Sequence, residues 1–132
     1  RFVNNLMLDG KKSIAFNIFY DAIDIVSEKT ENNGLEVWKE ALNNVMPHVE
    51  VRSRRVGGAN FQIPMQVRPD RKFTLGMKWM ITYARGRNER SMSQKLAAEI
   101  IAASKEEGAA VKKRTEVHRM AEANKAFSHF RF

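Results

Sequence analysis

Apolar residues recur along the chain at two periods, and the change of period marks its elements. Phe2 to Leu8 reads as a short apolar helix closed by Asp9-Gly10. Ala15, Ile18, Phe19, Ala22, Ile23 and Val26 then follow an i, i+3, i+4 rule, which predicts an amphipathic helix ending before the polar loop Glu31-Asn32-Asn33-Gly34. A third helix carries Trp38, Ala41, Leu42 and Val45 on one face, and Pro47 stops it. Between Val49 and Pro69 the period drops to two: Val49 and Val51 precede Gly57-Gly58, and Phe61, Ile63, Met65 and Val67 follow. That is a hairpin pattern. The helical period resumes through Phe73, Met77, Met80, Ile81 and Ala84. Ser91-Met92-Ser93-Gln94 has the form of a capping box and opens a helix buried through Leu96, Ala97, Ile100 and Ile101. Gly108 separates it from a last helix, Ala109 to about Lys125. The pattern predicts a mainly α single domain over 1–132, six helices with a protruding β-hairpin between helices three and four.

Alternation also constrains the hairpin. A two-residue Gly57-Gly58 turn would place Arg52 and Arg54 on the face of Ile63 and Phe61, mixing charge with the apolar row. An odd loop or a glycine bulge would group Val49 and Val51 with Met65 and Ile63 instead, so that register is expected. Pro64 is tolerated because a two-stranded ribbon has open edges.

Composition narrows the partner. The 132 residues include 23 Lys and Arg against 15 Asp and Glu, a net charge of +8 with a pI near 10, and 43% are hydrophobic. The chain can build a core and favours anionic partners, nucleic acid first. It has no cysteine, which excludes disulfides, thiol catalysis and zinc-cysteine sites. No apolar run approaches the roughly 20 residues that span a bilayer, and no secretory pattern opens the chain. A cytoplasmic or organelle-matrix protein is expected, without a membrane partner and with a segment upstream of Arg1.

The cations are clustered. Arg52, Arg54 and Arg55 crowd the first hairpin arm and Arg68 closes the second. Guanidinium forks on an exposed ribbon suit a phosphate backbone; the plainer alternative is an edge strand guarded by charge against aggregation. Arg71, Lys78 and Arg85 are spaced by seven. On a helix they fall within about 40° of one another, opposite the apolar stripe and about 10.5 Å apart per step. Either a phosphate ladder or a solvated face results. Lys112, Lys113, Arg114, His118 and Arg119 lie within nine residues. The first three are expected in the first turn of their helix, where cations oppose the macrodipole.

Catalytic chemistry finds little to stand on. Gly10-Lys11-Lys12-Ser13 resembles the end of a phosphate-binding loop, but Asn5 stands where that loop needs glycine and Lys12 where it needs serine or threonine. Lys11 and Lys12 read better as phosphate contacts. His48, His118 and His129 lack ligand-like spacing with carboxylates, so no metal or other cofactor is expected. Asp21 and Asp24 read as a solvated face, and the methionines and Trp38 as packing. Trp79 lies off the main stripe, facing either a neighbouring helix or RNA.

Three runs carry a resemblance across Arg1 to Phe132: Asn4 to Ala22, the hairpin segment VEVRSRRVGGANFQIPMQVRP, and the closing AVKKRTEVHRMAEANKAFSHFRF. Together, in that order, they resemble the bacterial-type small-subunit ribosomal protein seven family. The resemblance implies six helices with a long hairpin and no enzymatic activity. It implies binding to the 3′ major domain of 16S rRNA, nucleation of the subunit head, and a position near the mRNA exit and the E-site tRNA, beside small-subunit protein eleven and other head proteins. By matching positions it assigns rRNA contacts to Lys11, Lys12, Arg52, Arg54, Arg55, Arg68, Arg71, Lys78, Arg85, Met92, Lys112, Lys113, Arg114, His118 and Arg119. The tip, Val56, Gly57, Gly58 and Ala59, would approach tRNA or mRNA. Asn60-Phe61 and Phe132 depart slightly from the family pattern, and the basic N-terminal arm usual in the family is absent from these residues. A helical DNA-binding domain and an RNA-modifying enzyme are the alternatives.

Overall fold

The computed structural model describes residues 12–130, and the backbone alone of Lys12, Val56 and 128–130. The described elements are α1 (Lys12–Thr30), α2 (Gly34–Val45), β1 (Val49–Val56), β2 (Ala59–Gln66), α3 (Pro69–Arg85), α4 (Met92–Ser104), α5 (Ala109–Ala123) and a 3-10 helix (Lys125–Phe130). The mainly α reading with one inserted hairpin holds. The count of six helices does not: five α-helices are present among the described residues, and Phe2 to Leu8 lies outside them. The last predicted helix also ends at Asn124, where the chain tightens into the 3-10 turn.

Local signals account for the helix ends. Asn33 caps α2, its Oδ1 accepting from the N–H groups of Leu35 (3.0 Å) and Glu36 (3.4 Å). Gly34 follows because a Cβ there would run into the Ile23 carbonyl and Ser27 Oγ; its N–H donates to that Oγ at 2.8 Å. Pro69 occupies the first turn of α3, where its missing N–H costs nothing. Ser91 Oγ accepts from Gln94 N–H at 3.2 Å, the serine half of the expected capping box.

Helix α4 packs against α1, α2 and α3, and its Leu96, Ala97, Ile100 and Ala103 join Phe19, Val26, Leu42, Met80 and Ile81 in one core. Trp79 is half-buried and packs against this core, one of the two contacts its place off the stripe allowed. Phe73 departs from its stripe and stays 41% exposed. The first turns of α3 lie beside the hairpin base rather than in the bundle, as an Arg71–Glu50 contact across that boundary shows.

The hairpin corrects the expected register. Val56 pairs with Ala59 around the two-residue Gly57-Gly58 turn, and Arg52 and Arg54 stand opposite Ile63 and Phe61. The turn decides this. Both glycines have positive φ (58° and 85°), the pair of conformations that matches the twist of adjoining strands. Charge and apolar residues share a face after all, tolerable because arginine carries an aliphatic stem beneath its charge. Ile63 on that face is fully buried, while Val49 and Val51 on the other are half-buried. Pro64 pairs with Val51, two positions alternating with the hydrogen-bonded pairs, so its absent N–H would have pointed away from β1. The arm is not bare: β1 and β2 pack on α5, β2 meets the 3-10 helix, and Phe61, two pairs from the turn, lies 5.1 Å from Phe127, centroid to centroid. Gly57 to Asn60 are exposed.

Candidate nucleic-acid interface

The cations expected to meet RNA divide into two environments. At the junction of hairpin and α3, Arg52, Arg68 and Arg71 line one open cleft with Asp70 and Thr74. Within it Arg71 is held: its Nε and Nη2 donate to the two carboxylate oxygens of Glu50 at 2.8 and 3.0 Å. That hydrogen-bonded pairing raises the Arg71 pKa above its ordinary value, against a smaller loss from burial. The Glu50 side chain is only 12% exposed. Arg71 therefore braces the hairpin base against α3 while it lines the cleft. Lys78 and Arg85 continue along the exposed side of α3, and Arg55 is exposed near the hairpin tip. Arg54 is half-buried.

Helix α5 sorts its basic cluster by face. The helix starts at Ala109, so Lys112, Lys113 and Arg114 occupy its fourth to sixth positions rather than its first turn. Lys112 N–H already donates to Gly108 C=O at 3.1 Å, and the macrodipole penalty expected there is correspondingly smaller. Arg114 points inward: its Nη1 donates to the Asn44 carbonyl at 2.6 Å and lies 3.7 Å from Glu106. His118 also points inward and accepts the His48 N–H on Nε2 at 3.0 Å, with the two imidazoles stacked at 5.9 Å. Burial, then the charge of Arg114, then His48 hold the His118 pKa below its ordinary value, and an unprotonated Nε2 is what this bond requires. Lys112 and Arg119 are exposed, and Lys113 is half-buried.

Met92 is half-buried at the first turn of α4 and packs on the core. Lys11 lies outside the described residues, and Lys12 opens α1. The tip glycines and Ala59 are exposed. Among the described residues no cluster of histidine and acidic side chains could hold a metal ion.

Sequence reasoning missed Glu99. Its side chain is fully buried on α4, where Oε2 accepts from Arg87 Nη1 at 2.8 Å and Oε1 from Ala110 N–H at 3.0 Å. Arg87 also pairs with Glu89 at 3.3 Å. Burial depresses the Arg87 pKa, but the bonds to Glu99 and Glu89 outweigh it and the net shift is upward. The available signal was positional: Glu99 sits between Leu96 and Ile100 on the buried stripe of its helix.

The sequence matches the family described as ribosomal protein S7p/S5e over residues 1–125. It is 73% identical over 135 aligned positions to the small ribosomal subunit protein uS7 of Flavobacterium johnsoniae, covering 100% of this chain and 85% of that protein. The protein of the same name from Cytophaga hutchinsonii is 72% identical over 132 positions, and that of Lactobacillus helveticus 58%, each with 100% and 85% coverage. With a match over nearly its whole length, the chain belongs to the ribosomal protein S7p/S5e family.

Proposed function

We propose that the protein binds the 3′ major domain of 16S rRNA as one RNA-binding domain and nucleates assembly of the head of the small ribosomal subunit. Its family makes it a structural, non-enzymatic component of that subunit in the cytoplasm, and gives no support to a DNA-binding reading. The observation that carries the finer proposal is the cleft where Arg52, Arg68 and Arg71 meet at the hairpin base, continued by Lys78 and Arg85 along α3. Seven-residue spacing sets Arg71, Lys78 and Arg85 about 10.5 Å apart per step, a ladder that can follow the phosphate backbone of a folded RNA. Lys112 and Arg119 on the outer face of α5, with Arg55 on the ribbon, are further contacts. Arg114 and His118 serve the interface chiefly by fixing α5. Lys11, Lys12, Arg54, Lys113 and Met92 complete the proposed rRNA surface.

The hairpin tip is proposed to lie near the mRNA exit and the E-site tRNA, beside small-subunit protein eleven. Its support is the exposure of Gly57 to Asn60 at the end of the ribbon. Gel-shift titration tests the main reading. The protein should prefer the 3′ major domain RNA to duplex DNA of equal length, and equal affinity for both would refute it. Deleting Val56 to Ala59 should spare rRNA binding and alter exit-site tRNA occupancy. Loss of rRNA binding would mean that the tip contacts RNA instead.

A further inference from the structure

Helix α5 is anchored at three points spaced by four residues. Ala110 N–H donates to Glu99, the Arg114 guanidinium to the Asn44 carbonyl, and His118 accepts from His48 N–H. Four residues advance a helix by about 40° beyond a full turn, so the three anchors occupy one inward-facing strip. Lys112 and Arg119, seven apart, align within about 20° of each other and stand roughly 140–160° around the helix from Arg114. The inner strip therefore dictates which way the outer cations face.

Glu99 is the most deeply placed of the anchors. It is the one charged side chain in the described core, at 0% exposure, and it joins three pieces of chain: Arg87 after α3, its own helix α4, and the start of α5. Gly108, just before α5, has φ of +91°, and a Cβ there would lie 3.1 Å from both Glu99 Oε1 and Ala102 Cβ. The chain is drawn in close so that the carboxylate reaches the open N–H of Ala110. Gly108 itself supplies no side-chain cap for α5, and Glu99 supplies one from a neighbouring helix. A second carboxylate oxygen, engaged by Arg87, prevents Glu99 from turning away.

We propose that Glu99 is a positioning residue for RNA binding: by holding the N-terminus of α5 it sets the rotation of that helix and presents Lys112 and Arg119 to one stretch of phosphate backbone. This rests on the reading of the protein as an rRNA binder. Glu99 touches no RNA itself. Its effect passes through α5, and a residue that merely stabilised the fold would not act selectively on those two cations.

A double-mutant comparison tests this, with binding to the 3′ major domain RNA and thermal unfolding measured on each protein. The K112A/R119A pair should bind more weakly, which establishes that the outer face is in contact. E99Q keeps the shape and an acceptor for Ala110 but turns an amide N–H toward Arg87. It should remain folded and lose about tenfold in affinity, the scale of one charged hydrogen bond. Added to K112A/R119A, E99Q should change affinity less than about twofold, because sites acting through one contact are not additive. An equal loss in both backgrounds, or no loss in either, overturns the proposal. So does unchanged binding by K112A/R119A, which leaves the cleft reading intact. Failure of the unaltered protein to bind the RNA overturns the functional reading itself. If E99Q does not fold, R87Q/E99Q replaces the ion pair with a neutral amide pair. That protein should then lose affinity only while Lys112 and Arg119 are present, and an equal loss without them overturns the proposal.

Discussion

Arg114 and His118 sit in the densest basic run of the chain, yet their polar atoms are turned toward the protein. Charge counting along a sequence cannot separate such residues from Lys112 and Arg119, because the distinction depends on partners 70 positions away. His118 carries a pH consequence. Its folded pKa lies below the ordinary imidazole value of 6.5, so between the two values the unfolded chain binds a proton that the folded one does not. Its contribution to stability is complete above about pH 6.5 and is lost as the pH falls from there through the folded value. The thermal midpoint should drop more between pH 7.5 and 5 in the natural protein than in H118Q, whose amide oxygen accepts from His48 without titrating. Parallel curves would remove His118 from the account. Arg71 and Lys78 offer a second contrast. Both lie on the exposed side of α3, but only Arg71 is tied to Glu50. R71A should therefore cost about 1 kcal/mol in stability, the upper range for a partly exposed pair, and K78A within about 0.5 kcal/mol of nothing. Both should weaken RNA binding. Equal stability losses in urea titrations would show that the Glu50 brace contributes nothing.

At the level of elements, the helices of the bundle were readable because each buries one stripe, and the stripe has the helical period. Ala22, Val26, Ala41, Val45, Met80, Ala84, Leu96 and Ile100 were all placed correctly from spacing. The hairpin was legible as a hairpin but not in its register. Alternation favoured a clean apolar face, and the backbone preference of two adjacent glycines prevailed. A face with only four or five pairs gains little from segregation, whereas a residue with a Cβ in the left-handed region costs roughly 1–2 kcal/mol. The glycines meet nothing within 4 Å, so replacing both by alanine isolates that backbone term. The double change should weaken the ladder by about 2 kcal/mol, read from hydrogen exchange of the strand amides, while G57N should be close to neutral. A loss confined to G57N would contradict the turn assignment. The cleft was half legible. Its cations were identified, but Glu50, which orders Arg71, and Glu99, which orders α5, were not, since a carboxylate in a basic chain reads as solvent-facing until its neighbours are known.

Across the whole molecule, positive charge is unevenly spread. Between Lys12 and Val45 the acids Asp21, Asp24, Glu28, Glu31, Glu36 and Glu40 outnumber Lys12, Lys29 and Lys39, so the +8 of the chain resides in the remainder, chiefly from the hairpin onward. If about 6 to 10 of those cations meet phosphates, affinity for the RNA should fall by about 10³- to 10⁵-fold between 50 and 200 mM salt. A nearly flat response in filter binding would rule out phosphate contact as the source of affinity. The anchoring of α5 has one more implication, which concerns the order in which the chain is made. Synthesis runs from α1 forward, and the helices α1 to α4 can assemble on contacts among themselves. The Asn44 carbonyl, the His48 N–H and the Glu99 carboxylate must then wait for partners at positions 110 to 118. A nascent chain that has released Ser104 but not Ala110 therefore holds a nearly complete core in which the Asn44 carbonyl, the His48 N–H and one oxygen of Glu99 lack their α5 partners, the other Glu99 oxygen being held by Arg87. The last helix to emerge is thus the one that completes the interior, and the RNA-facing cations of α5 come into position only when the rest of the protein is ready for them.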